Sequence, residues 1–466
     1  MLKKFLYILI AAAITTYAFS WNNAQELEKL SVSANHRYFV SGNQKPFFWL
    51  GDTGWLLFSK LNREDAEKYL ETRRQQGFNV IQVMVVHDIK ETNAYGDSAL
   101  TNLDISRPKT TEGSDAANAE QYDYWDHIDW MIDRAAAKGL YLAMVPVWGS
   151  VVKSKAGITS EKAKVYASFL ANRYKNKSNV IWLNGGDIAG TDSTRVWNTI
   201  GNVLHTEDGN HLVTYHPRGR TTSSIWFHNE EWLDFNCFQS GHRTYAQDTS
   251  KKDLKYGEDN WRYVKVDYNK QPVKPTLDAE PSYERIPHGL HDVTQPRWTA
   301  ADVRRYAYWS IFAGACGYTY GNNDVMQMHK PTDKKSAYGS KEYWYQSIND
   351  PGALQMQYVK KLMLSRPYFE RVPDQSLIAA GKQGKRYNYL MATRGEKYAF
   401  VYTYTGRNIN VNAAKLPGKR LKVSWFNPRT GAVTNAGVQT KAGVMNFNPP
   451  GEVANGNDWV LILDEA

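Results

Sequence analysis

The sequence predicts an α/β fold, a (β/α)8 TIM barrel, followed by a small all-β sandwich domain. Between about residues 45 and 365, eight short apolar runs alternate with amphipathic stretches of helical period. After residue 365 the pattern changes to short alternating runs separated by Gly and Asn turns. Strands that alternate with helices pair in parallel through crossovers. Eight such units that close on themselves form a barrel.

The eight apolar runs are the predicted barrel strands. Most are almost continuously apolar, as is typical of strands that are buried on both faces. They cover residues 47–53, 80–86, 141–148, 180–184, 212–216, 235–239, 275–278 and 317–321.

Helical patterns with recognisable ends lie between many of these runs. Asn62 is a predicted N-cap for a helix over 63–76, and Thr299 with Asp302 resembles a capping box before a helix over 303–312. Further helices are predicted over 122–138 and 160–174. An open doubly wound sheet is the alternative, but no G-x-G-x-x-G turn follows the early strands.

The length of the chain and the change of pattern near residue 365 indicate two domains. About 445 residues after the first segment are too many for one ordinary domain. We place the barrel at 21–365 and the β-sandwich at 366–466, with the boundary near Ser365-Arg366-Pro367. The predicted strands of the second domain are 387–392, 398–404, 421–426 and 459–463.

Residues 1–20 have the pattern of an export signal. Two lysines precede an apolar stretch over 5–14, and Ala18 and Ser20 are small residues at the expected cleavage site. The apolar stretch is too short to span a bilayer. A buried or anchoring N-terminal helix is the alternative. We expect an exported protein, periplasmic or extracellular, without a membrane span.

The composition indicates which classes of binding partner the protein can have. The net charge is +10 without a basic block, which suits a basic surface or an acidic partner such as a uronic-acid polysaccharide. No nucleic-acid-binding module is recognisable, so we expect no nucleic acid. The chain has 30 Tyr and 16 Trp, which suits stacking on sugars or an aromatic-rich fold. Cys237 and Cys316 lie in apolar or small-residue runs, which favours buried free thiols over a bridge between them.

Polar and aromatic residues at the predicted strand ends are the candidate site, because catalytic groups of such barrels lie at the carboxyl ends of strands. Any one of them can be structural: Asp52 can be a helix N-cap, and His87 or His216 can be a hydrogen-bonded core histidine. Together they describe a polar pocket in an aromatic wall. They are Asp52, His87, Trp148, Asp187, His216, Gln239, His242, Glu280, Glu284 and Tyr320.

Two carboxylates are what cleavage of a glycosidic bond requires. Asp187 follows the fourth strand, and Glu280 and Glu284 follow the seventh. Strand-end geometry favours Glu280 as the partner of Asp187. H-E-x-x-H, G-x-S-x-G and P-loop motifs are all missing from the sequence, and nothing in the spacing requires a metal or a cofactor.

The same segments resemble the apiosidase-like barrels of glycoside hydrolase family 140, and the C-terminal tail resembles a β-domain labelled as collagen-binding. The resemblance implies a retaining exo-enzyme that removes terminal apiose from pectic side chains such as rhamnogalacturonan II, where apiose is attached to galacturonic acid. It implies Asp187 as acid/base and favours Glu284 as nucleophile, with Glu280 beside it. The resembling segments are 48–53, 182–187, 214–219, 239–242, 280–284, 317–321 and 458–464.

Three alternatives remain at this point. The first is a glycosidase with another specificity, such as an arabinofuranosidase or a galactosidase. The second is an adhesion protein that binds collagen through residues 366–466, although packing against the barrel is the plainer role for that domain. The third is an inactive barrel that only binds polysaccharide. The sequence does not determine the oligomeric state.

Overall fold

The computed structural model describes residues 27–154, 157–249 and 254–466. The predicted export signal, residues 1–20, lies outside the described residues. The first elements form a small antiparallel sheet of β1 (Leu30–Val32), β2 (Phe39–Ser41) and β3 (Lys45–Phe47). The ring centroid of Phe39 lies 5.0 Å from that of Phe235, and the ring centroid of Phe47 lies 5.2 Å from that of Tyr141. Phe235 and Tyr141 are at the start of two barrel strands. This sheet therefore covers the amino-terminal end of the barrel.

The barrel sheet confirms the predicted fold class. Each of the eight predicted strands is found, with ends that differ by at most four residues, and neighbouring strands are parallel. The strands are β4 (Trp49–Thr53), β5 (Val80–Val86), β6 (Tyr141–Val147), β7 (Val180–Ile188), β8 (Val213–Pro217), β9 (Thr221–Thr222), β10 (Asn236–Gln239), β11 (Thr276–Asp278) and β12 (Gly317–Tyr320).

The nine strands form a nearly closed ring in the order β8-β7-β6-β5-β4-β12-β11-β10-β9. The short β9 is antiparallel to β10 and was not predicted. Between β8 and β10 the ring is bridged by the amide of Asp234, which donates to the carbonyl of Val213 at 2.9 Å. The carboxyl ends of all eight parallel strands consequently face one side of the molecule.

The helices pack outside this ring, and the predicted caps are present. The side chain of Asn62 accepts from the amide of Asp65, and Thr299 with Asp302 forms a capping box. The helices are α1 (Leu57–Lys60), α2 (Arg63–Gln75), α3 (Tyr124–Ala137), α4 (Gly149–Lys153), α5 (Ser160–Tyr174), α6 (Thr194–Val203), α7 (Trp261–Tyr268), α8 (Ala300–Phe312), α9 (Asn323–Met326), α10 (Trp344–Ser347) and α11 (Pro351–Leu364).

The C-terminal region is an antiparallel β-sandwich. The strands are β13 (Val372–Pro373), β14 (Met391–Arg394), β15 (Tyr398–Thr403), β16 (Ile409–Asn412), β17 (Arg420–Phe426), β18 (Val433–Thr440), β19 (Val444–Phe447) and β20 (Trp459–Glu465). A six-stranded sheet, in the order β13-β14-β15-β20-β17-β18, packs against the β16–β19 pair, with Val401, Val411 and Leu461 in the shared core. The strand predicted over 387–392 starts later, because a 3-10 turn occupies Arg386–Asn388.

The sandwich packs on helix α8 of the barrel. The guanidinium of Arg304 forms two hydrogen bonds with the carboxylate of Asp458, at 2.9 and 2.8 Å. The rings of Tyr308 and Tyr402 stack with centroids 4.8 Å apart. Both pairs are buried. The contact therefore joins the two parts of the chain into one continuous core.

The two cysteines are buried free thiols, as the sequence favoured, rather than a disulfide. Burial raises the pKa of both, so neither is a reactive thiolate. Among the described residues, no helix is long and apolar enough to cross a membrane.

Candidate active site

A cavity of about 310 Å³ opens at the carboxyl ends of the barrel strands. Its wall combines carboxylates, imidazoles, guanidinium groups and aromatic rings, which is the make-up of a site for a small polar ligand. The lining includes Trp55, His87, Trp148, Asp187, Arg220, Gln239, His242, Arg243, Glu280, Tyr283, His291 and Tyr338.

Asp187 reaches the cavity because the end of β7 departs from regular strand geometry. Gly185, Gly186 and Asp187 all have positive φ, at 95°, 107° and 51°, and the pairing with β8 shifts register here. A Cβ at Gly186 would lie 2.6 Å from Trp148. Glycines are therefore required to turn the strand and admit the indole ring. The strain at Asp187 is of the kind that concentrates at functional sites.

The carboxyl group of Asp187 is accessible from the cavity but surrounded by protein. This burial, followed by the negative charge of Glu280, raises the pKa of Asp187 to about 7. Hydrogen bonds from the backbone of Gly219 and the side chain of Gln239 oppose the increase without cancelling it. Asp187 can thus hold a proton near neutral pH.

Glu280 also lines this cavity, but its pKa is shifted in the opposite direction from that of Asp187. Its Oε1 accepts a hydrogen bond from Nε2 of His242 at 3.1 Å, and its Oε2 lies 3.4 Å from Nε2 of His216. Burial alone would raise the pKa of Glu280, but the His242 hydrogen bond and the two imidazoles outweigh burial and lower it below 4.5. Glu280 is therefore ionised at a pH at which Asp187 can still hold its proton.

An aromatic cluster holds these groups in place. Trp55 packs with ring centroids 5.4 Å from Trp148 and 5.3 Å from His216, and its Nε1 donates to the hydroxyl of Tyr283. The ring of Tyr283 also packs against the imidazole of His242, with ring centroids 4.7 Å apart. Such a cluster offers apolar ring faces to a sugar while it fixes the imidazoles behind Glu280.

The structure brings six predicted residues to the cavity wall: His87, Trp148, Asp187, Gln239, His242 and Glu280. The fully buried His216 stands behind Glu280 instead of lining the cavity. Oε1 of Gln239 is buried without a hydrogen-bond partner among the described residues. It is therefore available to accept from a ligand hydroxyl.

Asp52 was expected to bind substrate, and the structure corrects this. Its carboxylate is fully buried, accepts from Nε of Arg73 at 2.7 Å and from the hydroxyl of Tyr69, and does not line the cavity. Nor is it a helix N-cap. Asp52 anchors helix α2 to the barrel because its side chain points outward from β4 toward that helix.

Glu284 and Tyr320 are corrected in the same way. The carboxyl group of Glu284 accepts from the Tyr320 hydroxyl at 2.6 Å and from the amide of Gly352 at 3.1 Å. Both side chains are buried outside the cavity. Burial raises the pKa of Glu284 to about 7, so it lacks the ready negative charge of a nucleophile. The geometry thus favours Glu280, as the strand-end argument did, over Glu284.

Sequence reasoning missed six aromatic or basic residues of the wall: Trp55, Arg220, Arg243, Tyr283, His291 and Tyr338. Trp55 and Arg243 are close to predicted residues, since Arg243 directly follows His242. Arg220 belongs to the short turn between β8 and β9, and Tyr338 to the 3-10 turn Ala337–Gly339, where no local pattern marks a functional position. Among the described residues, no group of three or more His, Cys, Asp or Glu side chains is arranged to hold a metal ion.

Comparison with known proteins places this geometry in a family. The model of the apiosidase-like catalytic domain matches residues 33–370. The chain belongs to the apiosidase-like family. A second model, described as "Putative collagen-binding domain of a collagenase", matches residues 372–464.

The chain is also similar to solved structures of glycoside hydrolases. A structure named "Glycoside hydrolase" is 46% identical in sequence to this chain and superposes with a TM-score of 0.88. The match covers 94% of this chain and 97% of the other. A glycoside hydrolase family 5 structure from Bacteroides vulgatus is 42% identical, with coverages of 95% and 94% and a TM-score of 0.88. No curated protein matches the chain. This apiosidase-like chain is thus a glycoside hydrolase.

Proposed function

We propose that the protein is a retaining exo-glycosidase that releases terminal apiose from acidic pectin, with Asp187 as acid/base and Glu280 as nucleophile. The observation that carries the proposal is the pair of unlike carboxyl groups in one cavity. The pKa of Asp187 is raised to about 7, whereas that of Glu280 is lowered. Carboxyl groups set apart in this way suit an acid and a nucleophile.

The first step joins Glu280 to the sugar. Its carboxylate oxygen attacks the anomeric carbon as the bond from that carbon to the leaving oxygen breaks. Asp187 gives its proton to this oxygen, so the alcohol leaves neutral. In the second step Asp187, now ionised, takes a proton from water, and the water oxygen displaces Glu280. His242 keeps Glu280 ionised between turnovers.

The cavity supports a small terminal sugar on an acidic partner. A volume of about 310 Å³ is at the lower end for small-ligand sites, which suits one terminal residue. The guanidinium groups of Arg220 and Arg243 also line it. They suit a uronate next to the released sugar. The apiosidase-like family match supports apiose, and other furanosides or pyranosides are the alternative.

The direct test is sugar release from rhamnogalacturonan II oligosaccharides. We expect free apiose from the wild-type protein and none from Asp187→Asn. A panel of arabinofuranosides and galactosides follows if the wild type releases another sugar or none, and apiose is then excluded.

The nucleophile is tested by a matched pair, Glu280→Gln and Glu284→Gln. We expect Glu280→Gln to lose at least about 1000-fold in kcat. Glu284→Gln should stay within about tenfold, because Glu284 contacts Tyr320 and Gly352 rather than the cavity. Equal loss in both variants with unchanged melting temperatures would return the role to Glu284.

Azide separates the two roles chemically. In Asp187→Ala the glycosyl-enzyme should form from a substrate with a good leaving group, and azide should attack it to give a glycosyl azide of retained configuration. In Glu280→Ala azide should replace the missing carboxylate and give the inverted product. Inverted product from both variants, or none, would argue against a retaining reaction.

Export is proposed from residues 1–20 alone. We expect the mature protein to begin near Trp21 and to fractionate with periplasmic or secreted proteins. N-terminal sequencing of protein from the native host measures this.

A further inference from the structure

A second cavity, larger than the first, lies where the barrel meets the sandwich. Its volume is about 660 Å³. One wall comes from residues 245–248 and 255–262 of the barrel and the other from residues 384–389 of the sandwich. We call it the interdomain groove. Nothing in the proposed reaction uses it.

The groove presents two arginines that are held by aromatic rings. The guanidinium of Arg262 lies 4.0 Å from the ring centroid of Tyr256, and that of Arg386 lies 4.9 Å from the ring centroid of Tyr245. Neither guanidinium forms an ion pair or hydrogen bond with a described residue, and both are exposed. Stacking orients the planar group and leaves its N–H edge free for a carboxylate.

The charge of the groove is positive. Lys255 and Lys385 add two further cations, also without an ion-pair partner among the described residues. The two acids in the wall are already engaged. Oδ2 of Asp248 accepts from the amide of Gly257 at 2.7 Å, and Oδ1 of Asp259 accepts from the hydroxyl of Tyr245. Four cations against two carboxylates leave a net charge of +2 in the lining.

The backbone that carries Arg386 is strained. Arg386 has φ of 49° in a turn that also contains Gly384 at φ 79°. A Cβ at Gly384 would lie 2.2 Å from the carbonyl oxygen of Asn388. A bulky residue in the left-handed region is uncommon and persists only where the surroundings impose it. The turn directs the arginine toward the groove instead of relaxing.

The groove shares a wall with the active-site cavity. Arg243 lines the cavity and Tyr245, two residues later, lines the groove, so their Cα atoms are at most about 7 Å apart. Nε of Arg220, which lines the cavity, lies 3.4 Å from Oδ1 of Asp248, which lines the groove. One polysaccharide can therefore reach both.

We propose that the interdomain groove binds a uronate-bearing oligosaccharide segment and so holds an acidic polysaccharide beside the active site. Carboxylates of the segment would pair with the edges of Arg262 and Arg386, and Lys255 and Lys385 would attract the chain electrostatically. The proposal rests on the chain being a glycoside hydrolase, and not on which sugar it releases.

The test measures binding of oligogalacturonate to the full-length mature protein by calorimetry. We expect Arg262→Gln/Arg386→Gln to raise Kd at least about tenfold, since two charge-assisted contacts are lost. Lys255→Gln/Lys385→Gln should raise it less. This second variant changes only exposed lysines without described hydrogen bonds, so it guards against a folding defect. Sugar release from a small neutral substrate should be unchanged in both.

The matched control is Lys164→Gln/Arg195→Gln, which removes the same charge from exposed positions of α5 and α6. We expect its Kd to equal that of the wild type. Equal weakening in the control and the groove variants would reduce the effect to net charge and overturn the proposal. So would equally tight binding of methyl-esterified oligomers, or binding of phosphatidylglycerol vesicles instead of oligogalacturonate. Failure to release apiose, with groove binding intact, would remove only the proposed substrate.

Discussion

Nε2 of His242 lies 3.1 Å from Oε1 of Glu280, and the imidazole donates a hydrogen bond to this carboxylate. Among the described residues, no imidazole donates a hydrogen bond to the carboxyl group of Asp187, whose pKa is raised to about 7 by burial and by the charge of Glu280. His242, together with His216, thus distinguishes two acids that share a cavity, and this difference suits the proposed roles of nucleophile and acid.

Replacing His242 by Phe should weaken the nucleophile. The ring shape against Tyr283 is kept, but a hydrogen bond to a charged group, worth about 1.5–3 kcal/mol, is lost. The pKa of Glu280 should rise, so the acidic limb of the kcat/KM profile should move to higher pH. His205→Phe, far from the cavity, is the control. An unmoved acidic limb would contradict this assignment.

The ionisation of Asp187 should determine the alkaline limb of the pH profile of kcat/KM. Its protonated form is needed for the first step, so kcat/KM should fall as pH rises through about 7. Glu280→Gln removes the neighbouring negative charge and should lower the pKa of Asp187. Carbon-13 NMR of the Asp187 carboxyl group measures both values. A pKa that stays near 7 in Glu280→Gln would mean that burial alone determines it.

Gly186→Ala should reduce activity more than stability. An added Cβ would lie 2.6 Å from Trp148 and displace Asp187, and a misplacement of about 1 Å can lower the rate about 100-fold. Gly437→Ala is a matched control, because Gly437 has φ of 93° with no atom near its Cβ position. Both variants introduce left-handed strain, but only Gly186→Ala should lose activity. Comparable kcat values in the two variants would refute the role of the glycine.

The Asp52–Arg73 pair should matter for stability and not for catalysis. Asp52→Asn leaves a buried guanidinium without its carboxylate and should lower the free energy of unfolding by about 3–5 kcal/mol. Urea denaturation measures this, while kcat/KM of the folded protein should be unchanged. Arg74→Gln, which breaks the exposed pair with Glu71, should have a much smaller effect. A large rise in KM for Asp52→Asn would instead restore Asp52 to the binding site.

Local features of the chain were predictable. The capped helices and the buried barrel strands have patterns that span only a few residues, such as Asn62 before α2 and the run of β5, which is apolar except for Gln82. Strand β18 was missed because all eight of its residues are exposed, so no alternation of apolar and polar residues marks it. Its pairing with β17 is a tertiary contact that its own residues do not encode.

The sequence by itself determined the barrel, the sandwich and the small set of acids from which the proposed catalytic pair is drawn, because periodicity and strand ends are local properties. Only the tertiary structure separated Glu280 from Glu284, four residues apart. Glu280 contacts His242 at the cavity, whereas Glu284 contacts Tyr320 and Gly352 outside it. The pKa of each depends on burial and on charges brought from distant parts of the chain, and such contacts exist only after folding.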